Sequence, residues 1–165
     1  MMRLDLFTKQ LVLECGKSKN MLSRVPADKL DWRPHPKSMV MKSLATHVAD
    51  LPTWVTMTLT SDELDFATMP YDPPVINSAD DLVALLETSL QSALDTLASA
   101  KEEALDGNWT LRTGDVIHSV STRYEVIQMT ISQIIHHRAQ LGVYLRLLDI
   151  PIPGTYGPSA DEQNF

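Results

Sequence analysis

Apolar residues recur at intervals of three and four positions over four long segments of the chain, which is the spacing of one face of an α-helix. The four predicted helices cover about residues 3–23, 39–59, 79–104 and 122–148. Four amphipathic helices of this length, in a chain of 165 residues, predict an all-α fold in one domain. We therefore expect an antiparallel four-helix bundle that occupies residues 1–165.

Capping and helix-breaking residues refine the limits of these helices. Ser78 with Asp81, and Thr122 with Glu125, have the spacing of a capping box at a helix start. Pro52 lies inside the second predicted helix. Its ring clashes with the carbonyl of the preceding turn, so we expect a kink or a restart there.

The segments between the helices are rich in Pro, Asp and Gly. Residues 60–78 form a long loop, which permits a crossover connection between the second and third helices. Residues 109–121, WTLRTGDVIHSVS, alternate in part and contain a TGD turn. They predict either a short hairpin or an irregular loop. Residues 154–165 are rich in Pro and Gly, and we expect an extended C-terminal tail.

The composition limits the kinds of molecule that this protein is expected to bind and the compartment in which it is expected to lie. Lys and Arg number 14 against 21 Asp and Glu, a net charge of -7, whereas nucleic-acid binding needs a basic surface. The single cysteine, Cys15, cannot form an internal disulfide. Asp5 lies where a signal peptide would have its apolar core. No apolar run reaches the ~20 residues that a membrane span needs. We expect a cytoplasmic protein that contacts neither nucleic acid nor a membrane.

A polar stripe on the fourth predicted helix carries the candidate chemistry. At 100° per residue its members fall within about 60° of one another. They are Gln133, His137, Gln140 and Tyr144. His136 points about 100° away from His137, so the adjacent histidines cannot chelate one ion from one helix.

His47 is the best partner for that stripe, because it lies mid-helix among apolar residues of the second helix. Gln133 and His137 are four residues apart, a common spacing for two metal ligands on one helix. Two alternatives remain open at this point. The histidines either share a metal ion inside the bundle or are hydrogen-bonded core residues.

Three segments of the chain resemble the DinB-like superfamily of metal-binding bundle proteins, which also includes YfiT-like proteins. They are HHRAQLGVYLRLLDIPIPGTYGPSADE, SLATHVADLPTW and LDWRPHPKSM. The family's fourth helix commonly reads His-x-x-x-His-Arg-Gly-Gln. The resemblance covers most of residues 3–163 and is strong at the two histidine segments.

The resemblance implies a divalent metal site at His47, residue 133 and His137, with Gln133 standing where the family commonly has His. Zn or Ni are the expected metals, with Fe and Mn as alternatives. Three ligands would leave an open position, as in a catalytic site. Asp50 would orient His47, complete the coordination, or be a solvated or capping carboxylate.

Other members of the polar stripe also carry expectations. Gln140 and Tyr144 either line the same cavity or form a polar seam. Arg138 lies off the stripe and is expected to bind a carboxylate on another helix or on the tail, with Asp161 and Glu162 as candidates.

Two functions follow from the resemblance. The first is a metal-dependent hydrolase or thiol S-transferase that acts on a small molecule and forms a homodimer through the first and fourth helices. The second is a non-catalytic dimeric binding module with a degenerate metal site. A role in DNA repair fits the acidic charge badly.

Overall fold

The computed structural model describes residues 2–69 and 72–163. Over these residues the chain forms five α-helices: α1 Arg3–Leu22, α2 Met41–Asp50, α3 Thr53–Thr60, α4 Ala79–Ser99 and α5 Arg123–Leu147. Three strands accompany them: β1 Glu63–Asp65, β2 Asn108–Thr113 and β3 Val116–Thr122. Two short 3-10 helices occupy Ala27–Lys29 and Glu102–Asp106.

The prediction of an all-α four-helix bundle was wrong, because a three-stranded sheet packs beside the helices. β2 and β3 form an antiparallel hairpin, so the hairpin alternative for residues 109–121 is correct. β1 adds to β2 in parallel. β1 lies in the predicted loop 60–78. The sequence did not predict it, because three residues are too few to show the apolar–polar alternation of a strand. Residues 70 and 71 of that loop lie outside the described residues.

The sheet is tied together at the hairpin turn. Gly114 has a φ of 54°, which only glycine adopts without strain. The buried carboxylate of Asp65 accepts hydrogen bonds from the backbone N–H groups of Gly114 and Ala67, each at 2.9 Å. These bonds lower the pKa of Asp65. Trp109 of β2 is buried and anchors the sheet against the helices.

Pro52 divides the second predicted helix into α2 and α3, as its position indicated. A proline has no N–H for the backbone ladder, so the turn must close in another way. The Thr53 hydroxyl donates to the carbonyl oxygen of Asp50 at 2.7 Å. The break therefore lies one turn beyond His47.

The predicted capping residues begin α4 and α5. The Thr122 hydroxyl accepts from the Glu125 N–H at 3.3 Å, and the Glu125 carboxylate accepts from the Thr122 N–H at 2.8 Å, a complete capping box. Ser78 accepts from the Asp81 N–H at 3.2 Å, whereas the Asp81 carboxylate accepts from Asn77. The third predicted helix ends at Ser99, five residues early, and a 3-10 helix follows.

The core lies between α1, α2, α4 and α5. Each contributes fully buried apolar side chains, among them Phe7, Leu11, Leu44, Val48, Leu86, Ala93, Ile134 and Leu141. Burial of apolar surface stabilises a fold by about 25 cal/mol per Å². The burial of these side chains is therefore the main stabilising contribution. In the part of the chain that the structure describes, no helix has the length and apolarity that crossing a membrane requires.

The C-terminal tail is irregular and folds back on itself, so the expectation of an extended tail was wrong. The Ile152 N–H donates to the Asp161 carboxylate at 3.0 Å, and the Ser159 hydroxyl donates to the Ile152 carbonyl at 2.7 Å. Ion pairs fix this folded tail to the bundle. Asp161 pairs with Arg146 of α5, and Glu162 pairs with Arg24. Arg138 does bind a carboxylate on another helix, but the partner is Glu14 of α1 at 2.7 Å, neither of the two tail residues. Residues 164 and 165 of the predicted tail lie outside the described residues.

Candidate functional site

His47 of α2 and His137 of α5 lie side by side. Their ring centroids are 4.7 Å apart and the rings are nearly perpendicular, at 72°. Both residues flank buried positions of their helices, and both are themselves half-buried. Because α2 packs against α5, the two inward faces bring together histidines that are 90 residues apart in sequence. The choice of His47 as the partner of the polar stripe on the fourth predicted helix is consistent with this proximity.

A hydrogen bond orients the His137 ring. Its Nδ1 lies 2.9 Å from the side-chain oxygen of Gln140, one turn further along α5. An amide oxygen only accepts, so Nδ1 carries the proton in this pair, and in the neutral form of the ring Nε2 has the lone pair. Gln140 thereby selects the tautomer of His137 that has a free acceptor nitrogen.

The His47 ring is held neutral. Burial lowers the pKa of His47, and the neighbouring His137 lowers it further. Among the residues that the structure describes, none donates to or accepts from the His47 ring. Its imidazole is therefore a neutral ring with an available lone pair, the form that binds metals.

Gln133 also lies near His47. Both line a small cavity of about 110 Å³, together with Leu51, Trp54, Met129 and Thr130. His47 also lines a cleft with His137. The structure thus brings the three predicted site residues to one region. In the described ranges, no group of three His, Cys, Asp or Glu side chains could hold a metal ion, so Gln133 would have to supply the third donor.

Two larger spaces adjoin the histidines, one lined by both of them and the other by His47 but not His137. A cleft of about 520 Å³ is lined by Lys42, Thr46, His47, Pro73, Pro74 and His137, among others. A second cavity, of about 640 Å³, runs from His47 under α3 towards β1. Small-molecule sites have volumes of ~300–1,000 Å³, so either space is large enough for a substrate.

Asp50 lies at the edge of the second cavity, one turn beyond His47. Desolvation raises its pKa, and a weak hydrogen bond from the Thr53 hydroxyl at 3.5 Å partly offsets that rise. No hydrogen bond joins Asp50 to His47, so the carboxylate does not orient that imidazole in this structure.

The remaining candidates separate into distinct roles. Tyr144 is buried away from both spaces, where its hydroxyl donates to the Met39 carbonyl at 3.1 Å and its ring packs edge-on against Trp32. It belongs to a polar seam, one of its two open alternatives. His136 is exposed, although its ring centroid is 4.9 Å from that of His137.

The apolar walls of the second cavity were missed by sequence reasoning. No pattern in the sequence marks Trp54, Phe66 or Met69 as cavity residues. Their shared cavity depends on β1 folding back under α3. No local pattern could have identified it, because β1 is set by pairing with residues more than 40 positions away.

The fold and the site together define a class of protein. It is a helix-rich protein in which side chains able to bind a metal project from facing helices towards open cavities. The sequence profile of the DinB family matches residues 1–164. The chain belongs to the DinB family.

Solved structures share this fold. A DinB-like protein from Bacillus subtilis superposes with a TM-score of 0.70 at 16% identity, covering 96% of this chain and 99% of its own. A DinB-like protein from Bacillus cereus gives 0.71 at 18% identity, covering 91% and 95%. At these identities the similarity concerns the fold alone. A search of curated proteins found no match.

Proposed function

We propose that this protein binds a divalent metal ion through His47, Gln133 and His137 and acts on a small molecule as a hydrolase or thiol S-transferase. The observation that carries the proposal is the 4.7 Å separation of the two histidine rings. Gln133 supports it, because its side chain lines a cavity that His47 also lines.

The chemistry of the donor set fits such an ion. Two neutral imidazoles suit Zn and Ni, and an amide oxygen also tolerates Fe or Mn. Gln140 holds the His137 tautomer that frees Nε2, the kind of supporting bond that metal-ligating histidines commonly have. A bound divalent ion would supply Lewis-acid activation of an oxygen or sulfur nucleophile.

The protein's own residues provide the rest of a reaction site. The cavity under α3 places the apolar side chains of Trp54, Met57 and Phe66 along a space that His47 also lines. The cleft that both histidines line carries Lys42, a cation that can attract an acidic group. A substrate in the cavity under α3 would contact His47, and a substrate in the cleft would contact both histidines.

Metal analysis of untagged protein tests the proposal. We expect about one Zn or Ni per chain after purification in metal-supplemented buffer. His137→Ala should lose the metal, whereas His118→Ala, a histidine of the exposed hairpin, should retain it. Metal-free wild-type protein, or equal metal in both variants, would rule the site out.

A non-catalytic dimeric binding module is the second candidate. Two observations favour it: Gln133 is a weaker ligand than imidazole, and apolar side chains of α1 and α5, such as Leu13 and Val143, are more than half exposed. Both candidates form a dimer, so metal content separates them. The binding module predicts a dimer that purifies without stoichiometric metal, even from metal-supplemented buffer.

A further inference from the structure

The cavity between α3 and β1 has walls suited to an aromatic group. Its apolar surface comes from Trp54, Met57, Phe66 and Met69, with His47 at one end. Indole and phenyl rings pack favourably against a further ring, and methionine sulfur makes favourable contacts with ring edges. Its volume of about 640 Å³ exceeds what one flat ring with a short side chain requires.

The hydroxyl groups in this cavity already have partners. The Thr56 and Ser92 hydroxyls bond each other at 2.9 Å. The Thr53 hydroxyl donates to the Asp50 carbonyl, and the Thr60 hydroxyl donates to the Thr56 carbonyl at 2.8 Å. These groups are therefore poor candidates for recognising a ligand's polar group.

The Asp50 carboxylate, in contrast, is free to accept. Its contact with the Thr53 hydroxyl is long, at 3.5 Å. In the ranges 2–69 and 72–163, no Lys, Arg or His forms an ion pair with it, and no backbone N–H donates to it. A partly buried carboxylate without a partner is unfavourable, and a cationic ligand would supply the missing partner.

We propose that this cavity binds a small amine with an aromatic arm, the ammonium group paired with Asp50 and the ring packed between Trp54 and Met69. This amine-binding proposal rests on the proposed function in one respect only: the proposed metal-dependent reaction would take place at the His47 end of the cavity. Ligand binding itself requires no metal.

Calorimetric titration of chelator-treated protein at pH 7.5 tests this proposal without the metal. The probes are benzylamine, which is cationic, benzyl alcohol, which has nearly the same shape and no charge, and phenylacetate, which is anionic. We expect benzylamine to bind at least tenfold more tightly than either of the others.

Two variants identify the location. Asp50→Asn should bring benzylamine down to the affinity of benzyl alcohol. Thr60→Phe, which adds a ring at the exposed rim of the cavity, should weaken both probes at least tenfold. Asp115→Asn removes an exposed acidic residue of the hairpin turn and should behave as wild type.

The contrary results are equally definite. The proposal is overturned if none of the probes binds at millimolar concentration, if benzyl alcohol or phenylacetate binds as tightly as benzylamine, or if Asp50→Asn keeps the preference for the amine. Because the protein is free of metal, none of these results affects the proposed metal site, and loss of metal binding in His137→Ala leaves the cavity test intact.

Discussion

Gln133 is the residue that decides how tightly the proposed site would hold a metal. Its neutral amide oxygen is a weaker ligand for Zn or Ni than imidazole. Gln133→His keeps the four-residue spacing to His137 and fits the helix at similar propensity. We expect at least tenfold tighter Zn binding, about 1.4 kcal/mol, measured by competition with a chelating dye.

The same variant should melt at a higher temperature when Zn is present, because a ligand that binds only the folded state stabilises it. His137→Ala provides the comparison and should show no metal-dependent shift. If wild type and Gln133→His melt identically with and without Zn, the polar residues of α5 are structural and the binding-module candidate replaces the enzyme.

Asp50 should reduce stability at neutral pH. Burial raises the folded-state pKa of its carboxyl above the ordinary value of 3.8. The stability of the fold is therefore greatest, as far as Asp50 contributes, below pH 3.8 and falls as the pH rises through the folded-state pKa. Asp50→Asn removes the charge, so its melting temperature should exceed that of wild type at pH 7. In a domain of this size each kcal/mol of stability corresponds to about 2–4 °C.

This difference should shrink as the pH is lowered towards 3.8, because wild-type Asp50 then becomes protonated in the fold. Melting curves of both proteins between pH 7 and pH 4 measure it, with Asp115→Asn as the exposed control. A wild type that is more stable than Asp50→Asn at pH 7 would show that the carboxylate has a partner in solution.

Where α1, α5 and the tail meet, a buried ion pair joins the elements. The Arg138 guanidinium donates to the Glu14 backbone carbonyl at 2.9 Å and to the Tyr156 hydroxyl at 2.7 Å. The Tyr156 hydroxyl in turn donates to the Glu14 carboxylate at 2.6 Å. The tail thus completes the hydrogen bonding of a pair that is otherwise costly to bury.

Tyr156→Phe should lower the free energy of unfolding by about 1–3 kcal/mol, since it leaves buried charged groups short of one partner. Urea denaturation measures the change. Tyr124→Phe is the matched control, because the Tyr124 hydroxyl bonds to no residue that the structure describes. Equal stabilities for the two variants would mean that the tail does not contribute to this pair in solution.

The whole molecule leaves apolar side chains exposed along α1 and α5. Leu13 is 53% exposed and Val143 is 59% exposed. Because such surfaces commonly mark interfaces, we expect a homodimer through these two helices. Light scattering at micromolar concentration should give twice the monomer mass of 18.4 kDa.

Charge placed on that surface should separate the copies. The double variant with Leu13→Glu and Val143→Glu is expected to elute as a monomer, whereas Val75→Glu, in a loop where the side chain is 80% exposed, should remain a dimer. A wild-type mass of 18.4 kDa would refute the dimer.

The sequence by itself determined the helices, their breaks and the polar face of α5. Helical periodicity, capping boxes and the effect of Pro52 all act over a few neighbouring residues, so a linear pattern contains them. The approach of His47 to His137 also followed, because each lies on the inward face of its own helix and bundle helices pack by those faces.

Tertiary structure alone decided the addition of β1 to the sheet, the cavity and the partner of Arg138. β1 pairs with residues 47 positions away, as in Glu63 with Thr110, and Arg138 reaches a residue 124 positions away. Pairings over such separations are selected by the packing of the whole chain, and the three residues of β1 have no period of their own. The environment of Asp50, which has no ion-pair partner among the described residues, was decided in the same way. The walls of its cavity meet only after the chain has folded.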